Sequence, residues 1–166
     1  EIDYEDGSHE TFSSDSSWEA EDTPVVFSEI YHGETYDARI LLSNRRSVTL
    51  VPYEKACLEA QSGCRVRVMD TIPVLQILKT PRGETVLDFG QNLTGFVRFS
   101  VLGRAGDEAV LRCFEVLDGD GNVYTENLHS ARQTVRYILK GGERETYQPL
   151  FTFQGFRYVQ LVSWPG

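Results

Sequence analysis

The chain holds 166 residues with an apolar content of 40%, enough to form a real core in one moderate domain, or in one domain plus part of another. Twenty-five acidic against sixteen basic residues give a formal charge of −9, and the basic residues are scattered rather than gathered into a stripe, which argues against nucleic acid as a partner. No apolar run approaches membrane-spanning length, and the opening EIDYEDGSHE lacks the basic-then-apolar order of a signal peptide, so neither a membrane partner nor a compartment is indicated.

In chain order, the segment ETFSSDSSWEAEDTPVVFSEIYHGETYDARI is rich in Ser, Asp and Glu, with isolated aromatics and few strand-length apolar runs. A boundary near SNRR, 43–46, separates it from a denser β region, so the expected domains are 1–45 and 46–166. Strand patterning with β-branched or aromatic residues at period two then fills SVTLV (47–51), RVRVM (65–69), VLQILK (74–79) and ETVLDF (84–89). It continues through FVRFSVL (96–102), AVLRCFEVL (109–117), TVRYILK (134–140), LFTF (150–153) and FRYVQLV (156–162). PRG, GRAGDE, DGDGN and KGGE mark turns between them, and only EKACLEAQ, 54–61, suggests helix. The expected fold is all-β, an antiparallel β-sandwich of jelly-roll type, because βαβ units would need helical crossovers of about a dozen residues. In FRYVQLV neither parity is cleanly apolar, which suits a strand covered by sheet on one side and by a neighbouring domain on the other.

VLDFGQNLTGFVRFSVL, 86–102, is a strand interrupted by polar residues and two glycines. Gly90 and Gly95 tolerate unusual backbone angles, while Asp88, Gln91, Asn92 and Thr94 can bond the backbone groups that a bend leaves unpaired, so a corner is the local expectation.

Catalytic and metal chemistry find little support. Glu115, Asp118 and Asp120 do not share one strand face, and two of them fall in a Gly-rich turn, so they make no acid and base pair; no catalytic residue is assigned. DGDGN invites a calcium reading through Asp118, Asp120 and Asn122, but Val123 stands where such a loop wants Gly and His129 where it wants Glu; an Asp-Gly hairpin turn is the better reading. No metal or organic cofactor is expected. Cys57, Cys64 and Cys113 are too few for a disulfide framework or a zinc site; buried or idle thiols are the plainer reading, with a Cys57–Cys64 bridge as the alternative in an oxidising compartment. His9, His32 and His129 have no neighbouring Cys or His, and Asn92-Leu93-Thr94 fits a glycosylation pattern that recurs by chance.

The order DFGQNLTG (88–95), the AG turn (105–106), EVL (115–117), YTENL (124–128), YILKG (137–141) and FTFQGFRYV (151–159) closely resembles the β-sandwich, concanavalin-like region that precedes the catalytic barrel in bacterial α-L-rhamnosidases. SSWEA (16–20) and FSEIYHGETYDAR (27–39) resemble the end of the amino-terminal module of those enzymes, and LEAQSGCRVRVMDTIPV (58–74) resembles the connection into the sandwich. The spacing departs from the family at SNRRSVTLVPYEKAC, 43–57. The resemblance implies inverting hydrolases whose carboxylates lie in an (α/α)6 barrel, and the chain carries no helical repeat. It therefore implies a non-catalytic accessory region, partnered by the barrel of the same polypeptide, which braces that barrel.

Carbohydrate itself is the second candidate partner. Sugar rings stack their C–H faces on aromatics while carboxylates and amides bind the hydroxyls. Trp18, Tyr31, Glu34 and Tyr36, with Glu29 and Asp37 nearby, supply that mixture, and a free-standing module for rhamnose-containing polysaccharide is the alternative function. For each aromatic alone, burial in a small core is the plainer account.

Overall fold

The computed structural model describes residues 2–54, 58–59, 62–64 and 66–165. Its strands are β1 (Ile2–Asp3), β2 (His9–Glu10), β3 (Glu19–Asp22), β4 (Val25–Glu29), β5 (Gly33–Asp37), β6 (Ser43–Ser47), β7 (Gln76–Lys79) and β8 (Thr85–Gly95). They continue as β9 (Phe99–Val101), β10 (Glu108–Phe114), β11 (Val116–Leu117), β12 (Val123–Tyr124), β13 (Thr134–Ile138), β14 (Glu145–Tyr147) and β15 (Gln154–Ser163).

Two compact units divide the chain, one of Glu1–Asp22 with Leu42–Arg65, the other of Thr23–Leu41 with Val66–Gly166. In the first, β1 pairs with β2, and the acidic strand β3 pairs antiparallel with the basic strand β6. Arg45 meets Glu19 and Glu21, and Arg46 meets Asp22, an exposed charge match that selects register more than it stabilises.

The second unit is a seven-stranded sheet in the order β4-β5-β13-β10-β15-β8-β7. Every neighbouring pair is antiparallel except β5 and β13, which run parallel from Thr134 beside Gly33 to Ile138 beside Asp37. Strands β4 and β5 lie on the amino-terminal side of the compositional boundary at 43–46, yet they extend the sheet formed by residues 76–163. The two-stranded sheet β9-β14 supplies the second layer. Between the layers Leu111, Cys113, Val135, Leu139, Phe156 and Val159 pack with Val101 and Tyr147. Fully burying a side chain such as Leu111 or Phe156 contributes roughly 1.5–3 kcal/mol. The architecture is thus the expected all-β sandwich, with one parallel pair added.

The interruption at 88–95 is neither a break nor a corner. Strand β8 runs through it, pairing with β15 at Leu93–Phe156 and again at Asp88–Tyr158. Phe89 to Asn92 therefore bulge opposite Arg157 alone, with Gly90 at φ +79° supplying the left-handed turn. The same shift switches parity along β15, so Phe156, Val159 and Leu161 face one layer while Tyr158 faces the other. That switch accounts for the mixed faces of FRYVQLV. On the far side, Tyr158 joins Phe114 and Val86 under the β11-β12 hairpin, whose turn is DGDGN.

Other sequence expectations need correction. SVTLV contributes only Ser47 to a strand, and 66–69 form none. LFTF is a loop and not a strand, with Phe151 and Phe153 exposed, because the amides of Leu150 and Phe151 bond to a carboxylate instead of a ladder. The helical turn expected at 54–61 lies mostly outside the described residues, as does Cys57 and hence the Cys57–Cys64 bridge.

Candidate functional site

Strand β5 carries two of the expected sugar-contacting residues, and a glycine decides where they go. Gly33 has φ +98°, and a Cβ there would lie 2.0 Å from the Thr134 carbonyl oxygen. Only glycine lets β5 approach β13 this closely. Glu34 and Tyr36, two residues apart, then share the face toward the core.

Glu34 is 1% exposed, and all its bonding capacity is directed at protein. Its Oε1 accepts from the Tyr147 hydroxyl and from the Leu150 amide at 2.8 Å. Its Oε2 accepts from the Ser28 hydroxyl at 2.9 Å and the Phe151 amide at 3.0 Å. Such satisfaction makes a buried carboxylate tolerable and fixes the loop 147–151. A second buried carboxylate, Glu145, does the same for the turn before it, accepting from the Tyr137 hydroxyl at 2.8 Å and from the Lys140 and Gly141 amides.

Between these carboxylates three tyrosines pack. The Tyr36 ring stacks on Tyr137 at 5.6 Å and lies 4.9 Å from Tyr147. Burial, followed by the neighbouring carboxylates, pushes the Tyr137 and Tyr147 phenols far above their ordinary range, so both remain hydrogen-bond donors. With Thr146, Gln148 and Leu150 the tyrosines line a pocket of about 230 Å³. That is below the roughly 300–1,000 Å³ typical of sites for drug-sized ligands.

The structure thus brings Glu34 and Tyr36 together through Tyr147. Tyr31 is exposed at the β4-β5 turn, where its carbonyl accepts from the Arg132 and Gln133 amides. Trp18 is exposed and belongs to the other compact unit. Tyr137, Tyr147 and Gln148 were not singled out from sequence; the alternation of ETYQ at 145–148 was the available signal, but β14 is only three residues long.

Asp88 and Asn92, polar residues of the 88–95 stretch, bond to other side chains of the protein. Asp88, 1% exposed, forms a two-point pair with Arg157, Oδ1 to Nε at 2.9 Å and Oδ2 to Nη2 at 3.0 Å, and also accepts from the Gly90 amide and Gln76. Arg157 leads in holding its carboxyl at about 2, so it stays ionised and cannot protonate a leaving group. Glu115 is bonded to Asn92 and Asn127, and Asp118 closes the hairpin turn by accepting from the Asp120 and Asn122 amides. No group of three or more metal-ligating side chains is assembled among the described residues. Cys64 is exposed, and burial pushes the Cys113 thiol up to about 12.

Comparison with known proteins agrees with this architecture. Residues 78–166 match the model of the bacterial alpha-L-rhamnosidase concanavalin-like domain, and residues 1–68 match the alpha-L-rhamnosidase N-terminal domain. The α-L-rhamnosidase of Streptomyces avermitilis is 40% identical over 180 residues, covering all of this chain and 17% of that protein. Its crystal structure, complexed with L-rhamnose, superposes with a TM-score of 0.78 at 38% identity over 99% of this chain and 17% of that one. The Aspergillus terreus α-L-rhamnosidase gives a TM-score of 0.85 at 34% identity, covering 98% of this chain and 20% of that one. The chain therefore spans only about a fifth of the length of the relatives it matches, and its sandwich belongs to the bacterial α-L-rhamnosidase concanavalin-like domain family.

Proposed function

We propose that this chain is a non-catalytic accessory region of an α-L-rhamnosidase, which hydrolyses terminal L-rhamnose from glycosides, and that it braces the (α/α)6 catalytic barrel of the same polypeptide. The observation that carries this reading is the coverage: the Streptomyces avermitilis relative matches the whole of this chain with only 17% of its own length. The geometry supports it, since Glu34, Asp88 and Glu145 are buried and tied to protein donors, not paired across an open cleft. The test exchanges the matching 180 residues of that relative for this chain, alongside a deletion of the same residues. The exchange is expected to keep rhamnosidase activity and thermal stability, and the deletion to lose both. A deletion variant that keeps wild-type stability and turnover refutes the bracing role.

The tyrosine pocket favours a second reading, direct binding of rhamnose-containing carbohydrate. Of Trp18, Tyr31, Glu34 and Tyr36, the proposed sugar contact is Tyr36, which lines the pocket beside Gln148 and Thr146. Titration with L-rhamnose, followed by amide chemical shifts, would show saturable changes at residues 145–150 that Tyr36→Ala abolishes. Silence throughout the titration leaves bracing as the function.

A further inference from the structure

A second groove, of about 500 Å³, lies on the opposite face of the seven-stranded sheet, within the range of small-molecule sites. Its walls follow from register. Arg112 of β10 stands opposite Thr134 of β13, Val110 opposite Arg136, and Thr35 of β5 lies beside Arg136. Phe27 of β4 pairs with Thr35 at the sheet edge, and His32 and Arg132 complete the polar lining.

The charge here runs against the rest of the molecule. A chain of formal charge −9 places three arginines in one groove. Of these three arginines only Arg136 has an acidic partner among the described residues, Glu108 at 3.3 Å. The Nε of Arg112 and the Nδ1 of His32 are buried with no hydrogen-bond partner. A buried guanidinium N–H without an acceptor is costly, and guanidinium forks match carboxylates in two-point geometry. Phe27, 46% exposed, offers a flat apolar surface beside the Thr35 and Thr134 hydroxyls.

The geometry points to a binding groove for a carboxylated sugar: the guanidinium groups of Arg112 and Arg132 take the carboxylate, the threonine hydroxyls take ring hydroxyls, and Phe27 supports the C–H face. Aromatic surface next to hydroxyls favours a sugar acid over an inorganic anion, and a bounded groove favours a small ligand over an extended acidic peptide. The inference is independent of the tyrosine pocket, which lies on the core side of the sheet.

Calorimetric titration of the chain with D-galacturonate, D-galactose, inorganic phosphate and a tetraglutamate peptide tests it. Saturable binding of galacturonate is expected, weakened by added salt, with galactose at least about tenfold weaker because the charged contact is missing. Arg112→Gln and, at an exposed position, Arg132→Gln are each expected to weaken galacturonate by about tenfold, with circular dichroism showing the fold intact. The inference is overturned by no galacturonate binding, by equal affinity for phosphate, by tighter binding of tetraglutamate, or by folded Arg132→Gln with unchanged affinity.

Discussion

Asp88→Asn keeps the side-chain outline at the head of the β8 bulge and removes its charge. The wild-type carboxyl is held at about 2 against an ordinary 3.8, which corresponds to ~2 kcal/mol of folded-state preference for the ionised form. Because the folded value lies below the unfolded one, this contribution is complete above about pH 4 and is lost as pH falls toward 2. Arg157 retains 39% side-chain exposure, so solvent limits the penalty for stranding it. Asp88→Asn is therefore expected to cost ~2 kcal/mol at neutral pH, with the gap to wild type closing on acidification. Urea unfolding in a Trp18→Phe background leaves Trp164, 5.6 Å from Phe99, as the sole tryptophan reporter of the sandwich. A gap under about 0.5 kcal/mol at neutral pH, or one that persists unchanged near pH 2.5, would refute the argument.

Gly33→Ala drives a Cβ to 2.0 Å from the Thr134 carbonyl oxygen at φ +98°, so β5 should detach from β13; hydrogen exchange at Glu34–Asp37 should accelerate well beyond that of β10. Glu34→Ala leaves the Leu150 and Phe151 amides and the Tyr147 hydroxyl without their acceptor, and should destabilise the fold by roughly 2–4 kcal/mol with early proteolysis at 148–153. Native Cys113, its thiol held at about 12 by burial, should resist a thiol reagent at about pH 8 that labels exposed Cys64 at once, as peptide mass spectrometry would show.

Much of the sandwich was legible because β10, β13 and β15 carry long apolar patterns that local spacing reveals. What escaped has physical reasons. Strands β4 and β5 join the sheet through a parallel pairing to residues a hundred positions later, and no local pattern encodes such a partner. The exposed edge strand β4 carries Val26 and Phe27 outward, so its alternation does not read as a core face. LFTF has the composition of a strand, but Glu34, far away in sequence, takes its amides. The glycines and polar side chains at 88–95 suggest a corner; that the stretch is instead a four-residue bulge facing Arg157 depends on the register of β15, which the sequence of β8 does not contain. Of the site, Glu34 and Tyr36 stand out by their chemistry, whereas Tyr137 reads as an ordinary strand aromatic and Tyr147 lies outside every expected strand; only the folding of β14 onto β9 brings the two rings together.

In the proposed function the sandwich contributes scaffold and surface, not bond cleavage. Incubating the purified chain with an aryl α-L-rhamnoside and measuring release of the phenol addresses it most directly. A rate indistinguishable from buffer is expected at every chain concentration. Saturable turnover that scales with the chain and is lost on substituting Glu34 or Glu115 while the fold is retained would contradict it.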